Sequence, residues 1–487
     1  MISAPQPISI NFGTDGFRGI IGDGFTFNAV SRISSSLAEY LKDNPSKIVA
    51  IGYDTRFLSK EFAAAAAEVL VSAGINAILS DNFCPSPVLS YFVKNKKCAA
   101  GIMITASHNP YMFNGLKFKS RFGSSMLESD VKKIEKIVNK KSYYVNPAES
   151  HYHGNSNFQR ADFKRDYIRH IIDLTGLDKT VSNSDKGLLK SMDVIIDPMF
   201  GAGIGYLSSI LKRFPIKYSA VNNYVNPVFP GINPEPIDCN LFKLKSYLKK
   251  RGADNKFAVG FATDGDADRI GAVDSEGNFI DSHKIFSIIL DYLIKEGYSG
   301  SVVKTVSVSK SIDDICKEHN IKLYEVPIGF KNIAFLMTKD GNDVFMGGEE
   351  SGGIGIASHL PERDGIFNAL LLLKIIIKTG KNLNELLNGI FNEPYPYSYV
   401  REDLHLEEAM KRRLIEKLKT GNFIIPLKKD LISSNFIDGF KFEYKDGSWL
   451  LIRPSGTEPV LRIYAESRVK KKTDELINKV RREIGNL

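Results

Sequence analysis

A series of short apolar runs, each ending near a loop rich in glycine, carboxylate or hydroxyl residues, constrains the fold of this chain more than any other feature. Residues 48–52 precede the helix-like stretch 60–74, and residues 99–104 run into Thr105-Ala106-Ser107-His108-Asn109-Pro110. Residues 192–196 end at Asp197-Pro198-Met199-Phe200-Gly201-Ala202-Gly203, and residues 257–262 lead to Asp264. Residues 344–346 stop before Gly347-Gly348-Glu349-Glu350-Ser351-Gly352-Gly353, and residues 449–452 stop before Arg453. Apolar strands alternating with longer helical patterns mark an α/β chain. Open α/β sheets bind ligands outside the carboxyl ends of their strands, so several similar units are expected to aim these loops at a shared cleft.

At 487 residues the chain is too long for one ordinary core, and ~150 residues per domain predicts three or four domains. The polar stretch 146–159 reads as a linker, a strand exit with Gly277 gives a second boundary, and Asn392-Glu393-Pro394-Tyr395-Pro396 gives a third. The expected division is therefore 1–158, 159–274, 275–393 and 394–487, and the first three units suit a diverged domain repeat.

An apolar share of 43% and a charged share of 25% are those of a soluble globular protein, which excludes disordered and fibrous classes. The formal charge of +9 is dispersed except at Lys470-Lys471-Lys472, which reads as a solvated helix face, so no nucleic-acid partner is expected. The first residues lack a basic segment followed by an apolar core, which argues against a secretory signal and for a cytoplasmic protein. Glu68 and Lys374 interrupt the greasiest stretches, and a span needs about 20 mostly apolar residues, so no membrane association is expected. Cys84, Cys98, Cys239 and Cys316 are scattered without a CxxC pair, so buried reduced thiols are expected in place of a zinc site or disulfides.

Asp264-Gly265-Asp266-Ala267-Asp268-Arg269 sets carboxylates at alternate positions, where they can turn oxygens toward one hard cation. A phosphate from an adjacent site would complete the partly hydrated octahedron that Mg²⁺ requires. Ser107 is the natural carrier of that phosphate: Pro110 stops a helix from continuing through Asn109, so an exposed serine is expected. Standing alone, it would be a turn serine bonded to its own backbone. Gly13-Thr14-Asp15-Gly16-Phe17-Arg18-Gly19 brings an arginine among permissive glycines, and Arg453-Pro454-Ser455-Gly456-Thr457-Glu458-Pro459 with Arg462 offers guanidinium, hydroxyl and amide donors for a second phosphate. Glu349 and Ser351, set between glycines, can bond neighbouring sugar hydroxyls.

Taken in order, these motifs, with Gly52-Tyr53-Asp54-Thr55-Arg56 and Asn114-Gly115-Leu116-Lys117, resemble the α-D-phosphohexomutase superfamily of phosphoglucomutases, phosphomannomutases and phosphoglucosamine mutases. The resemblance implies three related α/β domains with mixed sheets and a smaller C-terminal α+β domain around a central cleft. It makes Ser107 the phosphoserine and assigns Mg²⁺ to Asp264, Asp266 and Asp268, with the Ser107 phosphate as a further ligand. Arg18, His108 and Lys117 would lie near the reacting oxygens, Lys117 and Arg18 assisting proton transfer. Arg269, Gly329, Lys331, Glu349 and Ser351 would face the substrate, and Arg453, Ser455, Gly456, Thr457 and Arg462 would grip the phosphate not being transferred. The implied reaction interconverts hexose 1-phosphate and hexose 6-phosphate through a sugar 1,6-bisphosphate, which also serves as activator, in a monomer or dimer.

The sugar is less marked. Phe330 replaces the tryptophan of the Gly-Trp-Lys found in many glucose-specific members, and Gly353 stands where dual-specificity and glucosamine members often carry histidine. These departures lean toward glucose phosphate and leave mannose phosphate open, since one hydrogen bond is worth about 0.5–1.5 kcal/mol. The alternatives are a phosphoglucosamine mutase, an aspartyl-phosphate phosphatase built on Asp264, and a non-catalytic sugar-phosphate sensor. The phosphatase reading lacks its neighbouring threonine pattern, since position 268 is Asp.

Overall fold

The computed structural model describes residues 9–13, 15–140, 156–252, 255–454 and 460–485. Four sheets organise them. The first contains β1 (Phe17–Ile20), β2 (Ile48–Tyr53), β3 (Asn76–Ser80), β4 (Ala100–Ile104), β5 (Phe113–Ser120) and β6 (Phe158–Ala161). The second contains β7 (Asp193–Asp197), β8 (Lys217–Ala220), β9 (Ala258–Thr263), β10 (Ile270–Val273) and β11 (Phe279–Ile280). The third contains β12 (Ser301–Thr305), β13 (Lys322–Val326), β14 (Val344–Gly348) and β15 (Ile354–Ile356). The last is wholly antiparallel: β16 (Ser398–His405), β17 (Leu431–Asn435), β18 (Phe440–Tyr444), β19 (Trp449–Pro454) and β20 (Val460–Ser467).

One strand order recurs in the first three sheets: β5-β4-β2-β3, β10-β9-β7-β8 and β15-β14-β12-β13. In each, three strands run parallel and the outermost one returns antiparallel from a loop at the carboxyl end of its neighbour. The three loops so made carry Ser107, the aspartate run and Glu349. The repeated unit therefore presents each functional loop at the same place in its sheet, where strand-end ligand sites arise.

Glu362, Arg363 and Asp364 tie these units together. Glu362 accepts from Lys119 and Ser125 of the first unit, both at 2.8 Å. Arg363 reaches Asp15 of the first and Asp268 of the second. Asp364 accepts from Tyr167 in the second unit at 2.7 Å, and from the Phe367 amide as N-cap of helix Gly365–Thr379. That helix is apolar on nearly every side and buried through most of its length, as a core element must be. Among the described residues, no helix is long and apolar enough to cross a membrane. Trp449 docks the last sheet onto the third unit, packing with Val306 and Tyr464 and donating to Glu466 at 2.9 Å.

Two expectations change. Phe158 and Gln159, assigned to a linker, begin β6, which pairs parallel with β3; an edge strand takes its stability from backbone pairing, so its polar side chains concealed it. Residues 146–155 of that linker lie outside the described residues. Cys84, Cys98 and Cys316 are buried and free, but Cys239 is exposed, because it sits in the short 3₁₀ turn Asp238–Asn240, which has no buried face.

Candidate active site

Ser107 is only 1% exposed, contrary to the expectation of an exposed serine. What buries it is the aspartate loop of the second unit, which its own sequence neighbourhood does not reveal. Its Oγ donates to Asp264 Oδ2 at 2.8 Å, and its amide donates to Thr105 Oγ1 at 2.8 Å. The loops meet so closely that a Cβ at Gly265 would lie 2.3 Å from the Ser107 carbonyl oxygen. Ser107 adopts φ 51°, in the left-handed region that costs an L residue energy and recurs at functional turns.

Asp264, Asp266 and Asp268 are fully buried, and they offer ligand oxygens within 4.8 Å of one another. Asp266 Oδ1 and Asp268 Oδ1 have no hydrogen-bond partner among the described residues. Buried anionic oxygens left unpaired are costly, and a hard divalent cation satisfies them, so the donor set fits Mg²⁺. Burial, reinforced by Asp266 and Asp268, pushes the Asp264 carboxyl well above the usual range. Burial acts the same way on Asp266, but its ion pair with Lys117 more than offsets this and holds it low.

Lys117 Nζ lies 2.7 Å from Asp266, 3.2 Å from Asp268 and 3.4 Å from Asp15. Burial alone would lower the ammonium; the carboxylates, Asp15 foremost, outweigh it and keep it protonated. His108 Nδ1 is 3.5 Å from Ser107 Oγ, and burial together with Arg269, Arg18, Arg401 and Arg56 keeps the ring neutral. Arg18 donates to Asn109 in the serine loop. Arg269 contacts Glu235 at 3.3 Å, and its backbone amide donates to Asp264.

Glu349 is buried, and its Oε1 accepts from the Gly329 amide at 3.0 Å, so strand β14 and the sugar-loop candidates do meet. Ser351 is half-buried beside it. Lys331 instead pairs with Glu128 at 2.7 Å. Arg453 is held by Asp438 at 2.9 Å, and Asp438 also accepts from the Ile328 amide, linking the last domain to the Gly329 loop. Arg462 stands opposite Arg453 in the β19–β20 ladder, with Asp403 3.4 Å from its Nε. Ser455, Gly456 and Thr457 lie outside the described residues.

Asp15, Arg363 and Arg401 were not singled out from the sequence. Arg363 Nη2 lies 2.8 Å from Asp268 and 3.1 Å from Asp15, and Nη1 lies 3.4 Å from Glu349. Its path crosses Gly353, where a Cβ would stand 2.3 Å from Arg363 Cδ. The only signal was a charged run ahead of an apolar helix, which normally denotes a solvated helix start.

Family models for phosphoglucomutase/phosphomannomutase match throughout: alpha/beta/alpha domain I at 9–145, domain II at 165–277, domain III at 281–393 and the C-terminal domain at 405–483. A probable phosphoglucosamine mutase of Methanosphaera stadtmanae is 33% identical over 96% of each chain. The chain belongs to the α-D-phosphohexomutase superfamily. It is a phosphohexomutase, an isomerase, with three α/β domains and a C-terminal domain. A phosphoglucomutase/phosphomannomutase of Thermococcus kodakarensis is 27% identical over 96% of each chain. The crystal structure of a putative phosphomannomutase from Thermus thermophilus superposes with a TM-score of 0.81 at 30% identity, covering 98% of this chain and 99% of that one.

Proposed function

We propose that this phosphohexomutase interconverts glucose 1-phosphate and glucose 6-phosphate through a phosphoserine at Ser107 and a sugar 1,6-bisphosphate, with mannose phosphate as a secondary substrate. The observation that carries this reading is the Ser107 hydroxyl bonded to Asp264 within a buried aspartate cluster that has unpaired oxygens. In the forward step, the bond from phosphorus to Ser107 Oγ breaks as a bond to a sugar hydroxyl oxygen forms. The hydroxyl proton passes to a base, and the return step reverses this at the other phosphate. Mg²⁺ held by Asp264, Asp266 and Asp268 would supply charge neutralisation on the phosphoryl oxygens. Lys117, kept protonated, supplies positive charge from the protein, and the neutral His108 ring can accept a proton beside Ser107. Burial of Ser107 keeps water from the phosphoenzyme. Arg453 and Arg462, with Ser455, Gly456 and Thr457, would hold the phosphate not being transferred.

The preference for glucose draws on Gly353 and Phe330: Arg363 fills the space over Gly353 and lies 5.6 Å from the Phe330 ring, so the sugar loop has no room for a larger side chain at 353. An amino-sugar phosphate is the second reading, favoured by the name of the Methanosphaera stadtmanae relative. Measuring kcat/KM for glucose, mannose, glucosamine and N-acetylglucosamine 1-phosphates with Mg²⁺ and trace bisphosphate decides between them. Glucose 1-phosphate is expected to lead, and a strong preference for an amino sugar overturns the assignment.

The same assay carries a pH prediction. Burial, reinforced by Glu350 and opposed by Arg363, pushes the Glu349 carboxyl up to about 7. Below that pH it takes up a proton and loses its charge as a hydroxyl acceptor, so kcat/KM is expected to rise with pH through about 7. Glu349→Gln should remove this limb while leaving the limb due to the substrate phosphate, which ionises near pH ~6. An unchanged profile in Glu349→Gln assigns the limb elsewhere.

A further inference from the structure

Gly52-Tyr53-Asp54-Thr55-Arg56 enters the chemistry above only through the charge that Arg56 sets near His108, yet it ends beside the serine loop. Strand β2 pairs with β4 as far as Tyr53 and Ile104, and the Asp54 amide continues the pairing by donating to the Ile104 carbonyl at 3.0 Å. The residues after each strand therefore emerge side by side. Arg56, 3% exposed, turns back into the bend of the serine loop.

Its Nη2 donates to the carbonyls of Ser107 and Asn109 at 2.7 and 2.6 Å. Its Nη1 donates to those of Pro110 and Phe113 at 2.9 and 3.1 Å. Asp54 Oδ2 lies 3.3 Å from Nε, and the Phe229 ring of the second domain covers the guanidinium 4.9 Å from its centre. Thr55 donates to the Phe200 carbonyl at 2.8 Å, which pins this segment to the same domain. A planar fork can serve four carbonyls spread along a loop; an ammonium, whose donors radiate from one nitrogen, cannot.

The bonding has a directional effect. No peptide bond among the described residues is cis, and in a trans peptide N–H and C=O point in opposite directions. With the Ser107 and Pro110 carbonyls drawn to Arg56, the His108 and Tyr111 amides face away from it. Neither amide donates to an acceptor among the described residues. Amides left without an acceptor on the side of the loop away from Arg56 are free to donate to an anion.

We propose that Arg56 is a positioning residue: it holds Ser107 in its left-handed conformation, aims Oγ at Asp264, and keeps the loop amides open to the phosphate that Ser107 carries. This rests on Ser107 being the carrier. The loop would otherwise be free to relax its strained residue and point carbonyl dipoles at a phosphate dianion.

The test uses full-length Arg56→Lys, with thermal unfolding as the control for folding. The kcat is expected to fall about 100-fold, the scale of a small misplacement of a reacting group. The KM for glucose 1-phosphate and the affinity for Mn²⁺ should stay at wild-type values. Phosphorylation of Ser107 by glucose 1,6-bisphosphate, followed by intact mass, should slow in step with kcat. In Arg56→Ala, added guanidinium should restore part of the rate and methylammonium should not. Phe229→Ala, which uncovers the guanidinium without removing it, should lower kcat at constant KM and serves if the Arg56 variants do not fold. An Arg56→Lys enzyme with wild-type kcat, or one losing Mn²⁺ affinity and kcat together, overturns the proposal; so does wild-type kcat in Phe229→Ala. If wild-type Ser107 itself takes up no phosphate, the carrier reading fails instead.

Discussion

Ser107→Ala is expected to fold, to bind divalent metal, and to lose turnover by about four orders of magnitude or more, the scale on which removing a covalent nucleophile acts. The argument is local. Ser107 Oγ is the hydroxyl that bonds Asp264 within the aspartate cluster, and alanine removes only that oxygen. The side chain is small and the Ser107 amide bond to Thr105 does not depend on it, so the loop should keep its course. Alanine at φ 51° carries the strain that serine already bears. Peptide mapping after exposure to glucose 1,6-bisphosphate should find phosphate on Ser107 of the wild type and none at 107 in the variant. Acid-labile phosphate on Asp264 would transfer the case to the aspartyl-phosphatase alternative.

Asp266→Asn is expected to give the second-largest loss, about 10²–10³-fold in kcat, comparable to losing one partner of transition-state charge. Asp266 has two jobs on its two oxygens. Its Oδ1 is unpaired and available to a cation, while Oδ2 pairs with Lys117 at 2.7 Å and accepts from Ser86. Asparagine keeps an acceptor for Ser86 but removes the charge that both the cation and Lys117 need. The Mg²⁺ concentration for half-maximal activity should therefore rise. The increase in melting temperature that Mg²⁺ gives the wild type should shrink, because ligand stabilisation follows occupancy of the folded state. Full activity of the wild type after exhaustive chelation would refute this role.

Much of this architecture was legible because it is written in local patterns. Residues 99–104 and 257–262 are apolar runs that stop abruptly, and they became β4 and β9 with their loops where strand ends should put them. The alternation of Asp264, Asp266 and Asp268 is likewise local, and it survived folding as one cluster. What escaped was set by partners far away in the chain. Ser107 looked exposed because the loop that buries it lies more than a hundred residues on. Arg363 carried no signal of its own, since nothing in its local pattern shows that Gly353 clears its path or that Asp15 and Asp268 await it. Asp15 lies within the glycine-rich stretch 13–19, but its value lies in gathering Lys117, Arg363 and Arg18, which only the folded chain brings together.

The bridge made by Glu362, Arg363 and Asp364 also bears on how this chain can vary. Surface loops are where proteins ordinarily absorb insertions and deletions, and by its backbone this segment is a loop. Here, however, consecutive side chains answer to different domains, so their order is a register. Deleting one residue would bring a guanidinium or an apolar group to the place of the carboxylate that meets Lys119, which is fully buried and would lose its counter-ion. A substitution disturbs the contacts of one side chain; a change in length displaces all three. Related chains should therefore keep this segment at constant length and accommodate gaps in places such as the exposed turn at 445–447, where the partners of Lys445 and Asp446, the Asp430 carbonyl and Lys472, all lie within the C-terminal domain.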